Sequence, residues 1–154
     1  MSNSTINDED DTGDAIATSG TLSLTSGGGI GNSGGAAGLN TDVGTLAVTT
    51  TGGSNVTMTE ADGLDLAASN VDGNLDVTAT TGDITDSGTV TVGGTASFTT
   101  VNTDDDIDLG DLDVTGSLAL STTGSTGDAT IVNTSAVDLA ASNVDGNLDV
   151  TATT

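Results

Sequence analysis

Asp65–Thr81 reads DLAASNVDGNLDVTATT, and Asp138–Thr154 repeats it letter for letter. The offset between the copies is about 73 residues, and disordered low-complexity sequence rarely keeps such fidelity, so the chain reads as stacked units, none able to bury its apolar face alone. The likeness extends upstream, where GTLAVTTTG (Gly44–Gly52) parallels GSLALSTTG (Gly116–Gly124). A shorter phrase, Gly-x-apolar-x-apolar-Ser/Thr, starts at Gly20, Gly44, Gly73, Gly94, Gly116 and Gly146. Three phrases per repeat predict coils of roughly 24 residues, about six in all.

Each phrase alternates, as in Leu75, Val77 and Ala79 against Asn74, Asp76, Thr78 and Thr80, the period of a half-buried strand. Two further apolar groups accompany it. One precedes it (Leu64/Leu66, Val90/Val92, Leu112/Val114, Val137/Leu139) and one follows (Val56/Met58, Ile84, Ile107/Leu109, Ala129/Ile131). Three short strands per coil, joined by Gly, Asx and Ser/Thr turns, describe an all-β parallel β-helix, or β-solenoid. A helix competes poorly, because Gly, Asx and β-branched residues are dense and no helical stripe persists. The solenoid is expected over residues 15–154, preceded by a disordered or capping arm over 1–14. Gly27–Gly38 (GGGIGNSGGAAG) reads as a wide loop or as a coil sparsely filled around Ile30.

Composition supports a thin repetitive stack over a bulky core. The 154 residues include 23 Gly, 23 acidic side chains and no Lys, Arg, His, Cys, Pro, Trp or Tyr, with Phe98 the sole aromatic. A narrow prism of small aliphatics, held by backbone pairing between coils about 4.8 Å apart, fits that supply. The formal charge of -23 repels nucleic acid and anionic membranes. The apolar runs are too short to insert in a membrane. Without Cys there are no disulfides or thiolate metal sites. MSNSTINDEDD lacks a basic region followed by an apolar stretch, so a secretion signal is expected outside these residues.

Gly73–Thr100, GNLDVTATTGDITDSGTVTVGGTASFTT, resembles the repeats of filamentous-haemagglutinin-type adhesins and related large bacterial exoproteins. The resemblance holds from about Gly44 onward. It implies a right-handed parallel β-helix, export by two-partner secretion and life at the bacterial surface or outside the cell, as an adhesin or matrix fibre. It carries over no catalytic residue.

Carboxylates are the candidate chemistry. Carbohydrate-cleaving β-helices need acids together with cations or aromatics to move protons and grip sugar, and this chain has no such cations, so no enzyme is expected. Hard oxygen ligands suit calcium. The acidic run TDDDIDLGDLD offers Asp104, Asp105, Asp106, Asp108 and Asp111, and the duplicated NVDGNLD loop offers Asn70, Asp72, Asn74 and Asp76, then Asn143, Asp145, Asn147 and Asp149. Solvated acids and ordinary Asx turns are the plainer alternatives.

The expected function is a structural segment of a secreted adhesin or extracellular filament, a calcium-stabilised rod for surface attachment or matrix assembly. A cell-surface or matrix ligand is an expected partner. The sequence stops at Thr154 just where the first copy continues into GDITDSG (Gly82–Gly88), so unpaired strand edges are expected there. Either the natural chain continues or subunits stack head to tail. The alternative is a ligand-binding solenoid, recognising carbohydrate, or ice through an outward column of Thr25, Thr49, Thr78, Thr99, Ser121 and Thr151.

Overall fold

The computed structural model describes residues 5–6, 16–31 and 38–153. The expected arm over 1–14 therefore lies outside the described residues except at Thr5 and Ile6, as do residues 32–37 of the glycine-rich segment. Parallel strands stack as a β-solenoid of about six turns, with no helix among the described residues.

The strands are β1 (Ile16–Ser26), β2 (Leu39–Thr50), β3 (Val56–Glu60), β4 (Leu64–Leu66), β5 (Ser69–Val71), β6 (Leu75–Ala79) and β7 (Ile84–Asp86). After them come β8 (Val90–Val92), β9 (Ala96–Thr103), β10 (Ile107–Val114), β11 (Ser117–Thr123), β12 (Ala129–Asn133), β13 (Asp138–Leu139) and β14 (Leu148–Ala152). They form two ladders that meet at β2. Ladder A runs β3-β6-β9-β11-β13; ladder B runs β4-β7-β10-β12-β14, with β5 and β8 alongside. The expected three strands per turn are distinct in β6, β7 and β8, whereas β10 fuses two of them by pairing with both β7 and β8.

The alternation seen in the sequence sets the interior. Val56, Leu75, Ala96 and Leu118 stack in one column, and Met58, Val77, Phe98 and Leu120 in the next, all buried. Ala96 beside Phe98 lets one large ring fit between leucine layers, the small-against-large filling that a narrow core requires.

The turns are shorter than the sequence phrases predict. Partners on successive turns are as close as 19 positions in the chain, as with Asn55 and Asn74. Along ladder B, Asp65 pairs with Thr85, the Asp108 position follows, and Thr130 completes three turns, while the duplicate of Asp65 arrives only at Asp138. The repeat consequently advances about three and a half turns of roughly 21 residues. The two identical copies therefore lie on different ladders. Leu66 is in ladder B but Leu139 in ladder A; Leu75–Ala79 is in ladder A but Leu148–Ala152 in ladder B. Local bonding is nonetheless reproduced. Val48 N–H donates to Ser69 Oγ, and Leu120 N–H to Ser142 Oγ, each at 3.0 Å.

Candidate functional site

Corners of the turn leave backbone amides that no strand carbonyl reaches, and Asx side chains at those corners supply the missing acceptor. Asp83 Oδ1 accepts from the Asp106 amide (2.8 Å), Asp106 Oδ1 from Asp128 (2.7 Å) and Asp128 Oδ1 from Asn147 (2.7 Å). A parallel Asn ladder runs at another corner, where Asn55 Oδ1 accepts from Asn74 N–H and Asn74 Oδ1 from Thr95 N–H, both at 2.9 Å. Each turn thus caps the next through the same atoms.

The residues expected to gather calcium are distributed along this scaffold. Asp104 Oδ1 accepts from Thr126 N–H (3.2 Å), Asp105 Oδ2 from Gly82 N–H (2.6 Å) and Asp111 Oδ2 from the Thr89 hydroxyl (2.7 Å). Within the acidic run Asp106 lies between the carboxylates of Asp83 and Asp128 on the neighbouring turns, and the Asp111 amide donates to Asp86 Oδ2 (2.8 Å) on the preceding turn. In the duplicated loops, Asp72 Oδ2 accepts from Gly53 N–H (3.2 Å) and Asp145 Oδ2 from Gly124 N–H (3.3 Å). Asn147 donates to Asp128, and Asn143 Nδ2 donates to Asp145 (3.1 Å). Asn70 is exposed between Thr49 and Thr91, and Asp76 is exposed between Thr57 and Ser97. Among the described residues no three acidic side chains form a metal-holding group.

Asp108 and Asp149 show how the remaining charge is accommodated. Their outward column in ladder B reads Thr45, Asp65, Thr85, Asp108, Thr130, Asp149. Threonine separates the acids, so carboxylates stand two turns, about 10 Å, apart. That is about the screening length of physiological salt, so their repulsion is weak. Acids cap one another on successive turns at Asp83, Asp106 and Asp128, and again at Asp86 and Asp111.

Glu60 is an acid that continues the inward alternation of Val56 and Met58. It is fully buried, its Oε2 accepts from the Thr41 hydroxyl (2.7 Å), and its Oε1 accepts from Val43 N–H (2.9 Å) and Ala61 N–H (3.1 Å). Asn133 does the same work in the second repeat, with Oδ1 accepting from Val114 N–H at 2.9 Å. The two stand at equivalent positions, each shortly before its copy of the duplicated block, and each at the inward parity of its strand, after Val56 and Met58 or after Ala129 and Ile131; that parity is the signal.

The expected single column of outward hydroxyls does not form. Thr78, Thr99 and Ser121 align in ladder A, Thr25 and Thr49 align with Asn70 in ladder B, and Thr151 lies opposite Val132. The change of ladder between repeats separates them. On ladder A the neighbouring outward column is Thr57, Asp76, Ser97, Ala119, which is not a regular threonine array. Here the small side chains leave an open groove of about 360 Å³ lined by Ser97, Thr99, Ala119, Ser121, Ala141 and Ser142.

A family model described as repeats of unknown function (DUF5649) matches residues 53–105, about a third of the chain, from the turn before β3 to the turn after β9. No curated protein and no solved structure matches. The match and the stacked turns agree in describing a repeat protein.

Proposed function

We propose that this chain is a structural segment of a secreted bacterial adhesin or extracellular filament, a rod that serves surface attachment or matrix assembly and catalyses no reaction. The observation that carries this reading is the Asp83-Asp106-Asp128-Asn147 ladder, in which each turn presents the acceptor for the next. Such a device extends a rod without limit and asks nothing of a ligand. The resemblance of Gly73–Thr100 to filamentous-haemagglutinin-type repeats supports an extracellular or cell-surface setting. Calcium, in this reading, acts between turns, bridging carboxylates of the ladder and easing their repulsion.

Antibody raised against the folded chain tests the setting. It should label the surface or matrix of intact producing cells; labelling that appears only after permeabilisation overturns the proposal. The ligand-binding alternative rests on the neutral groove of ladder A. A glycan array and an ice-recrystallisation assay probe it, and binding abolished by Ala119→Trp would favour that alternative.

A further inference from the structure

We infer that the Asp62–Gly63 peptide bond is a site of spontaneous backbone modification, the Asp-Gly bond at which the folded chain converts aspartate to isoaspartate. This chemistry needs neither ligand nor partner and is independent of any role of the rod in attachment.

The reaction is intramolecular. The amide nitrogen of the residue after an aspartate attacks the aspartate Cγ, and the carboxyl oxygen departs as water with the nitrogen's proton, closing a succinimide ring. Water then opens the ring at either carbonyl. Opening at the main-chain carbonyl leaves the backbone running through Cβ, so the composition is unchanged and no oxidant or reductant is consumed. Glycine in the second position favours closure, because no side chain crowds the nitrogen. The chain holds such pairs at Asp62-Gly63, Asp72-Gly73 and Asp145-Gly146.

The fold treats these pairs differently. Gly73 N–H donates to Ser54 O and Gly146 N–H to Gly127 O, each at 3.1 Å. Their aspartates are tied as well, Asp72 Oδ2 by Gly53 N–H and Asp145 Oδ2 by Gly124 N–H. Both glycines are wedged against the preceding turn, where a Cβ would stand 2.7 Å from Gly53 O or from Gly127 O. Gly63 N–H, by contrast, has no acceptor among the described residues. The atom nearest to a Cβ on Gly63 is Asp83 O, at 3.1 Å. Asp62 is exposed, and its Oδ1 accepts from the Thr81 hydroxyl at 3.3 Å, a donor shared with Ala61 O (3.0 Å). The nitrogen and the carboxyl that must meet are thus both held in the duplicated block and both released at Asp62, where local opening is cheapest.

The position gives the modification a consequence. The corner joins β3 to β4, with Ala61 N–H donating to Thr41 O (2.9 Å) before it and Leu64 N–H to Asp83 O (2.8 Å) after it. Isoaspartate adds a methylene to the main chain between those anchors, about 1.5 Å of extra length. Leu64 pairs with Ile84, and strand register tolerates no fractional shift, so the contact between consecutive turns loosens there.

Ageing the purified full chain for weeks in warm neutral buffer tests the site. The aged chain is unfolded and digested with an endoproteinase that cuts before aspartate but not before isoaspartate, and mass spectrometry reads each position. Isoaspartate at residue 62 should exceed that at 72 or 145 by about tenfold, the factor set by hydrogen bonds that must break first at those two sites. In urea the three should react at similar rates, which assigns the difference to the fold. The aged fraction should melt below fresh chain. Asp62→Glu, whose longer side chain closes a ring far more slowly, should keep the parent's far-UV circular dichroism spectrum and lose that ageing-dependent fall. Equal isoaspartate at the three sites of the folded chain, or a preference for residue 62 that persists in urea, overturns the inference. A fall in midpoint that Asp62→Glu leaves intact overturns the loosening at β4.

Discussion

Replacing Asp106 with Asn should raise stability at low salt and lower it at high salt. Asp106 stands between Asp83 and Asp128, one turn or about 4.8 Å from each. At that distance two carboxylates repel by about 1 kcal/mol in water, so Asp106 carries about 2 kcal/mol from its two neighbours. Asn keeps the oxygen that accepts the Asp128 amide but loses the charge that strengthens the bond, a loss of about 1 kcal/mol. The net gain is about 1 kcal/mol where screening is weak, about 2 to 4 °C in melting temperature for a chain of this size. At about 1 M salt the screening length falls to about 3 Å, the repulsion largely disappears and the lost bond strength remains. Thermal melts of parent and variant, followed by far-UV circular dichroism at both salt levels, should therefore cross. A variant equally destabilised at both would refute the repulsive ladder. Asp106→Ala, which removes the acceptor as well, should be the less stable variant under both conditions.

Glu60→Ala should destabilise by about 3 to 5 kcal/mol in urea titrations, since it opens a cavity and strips the acceptor from Thr41, Val43 and Ala61. Asn133→Ala should show the same kind of loss in the second repeat. Gly82→Ala should cost about 2 to 5 kcal/mol, because φ is +76° and a Cβ would stand 2.7 Å from Gly63 N. Millimolar calcium should raise the melting midpoint above that in sodium chloride of matched ionic strength; equal midpoints would remove calcium from the proposed function.

The inward columns are legible in the sequence because alternation is a local property: Leu75, Val77 and Ala79 are buried as their spacing requires. Turn length is not legible in the same way. Dividing the repeat by its three Gly-x-apolar phrases assumes that every phrase returns to the same ladder, whereas those at Gly73 and Gly146 stack on opposite ladders. Roles of acids are hidden for the same reason. Asp104 and Asp106 are neighbours in sequence, yet each caps a turn through a partner 22 residues away. Glu60 looks like a surface acid by residue type, yet it continues the inward parity of Val56 and Met58 and faces Thr41 on the preceding turn.

Paired cysteines give the most direct test of the shorter turn, and the native chain has none to interfere. Asp65 and Thr85 are cross-turn partners. With strands about 4.8 Å apart their Cα separation suits a disulfide. Asp65→Cys with Thr85→Cys should oxidise rapidly under mild conditions, and Asp65→Cys with Thr89→Cys, the pairing that the longer turn demands, should remain reduced. Rapid closure of the second pair and not the first would contradict the shorter turn and the half-turn repeat built on it.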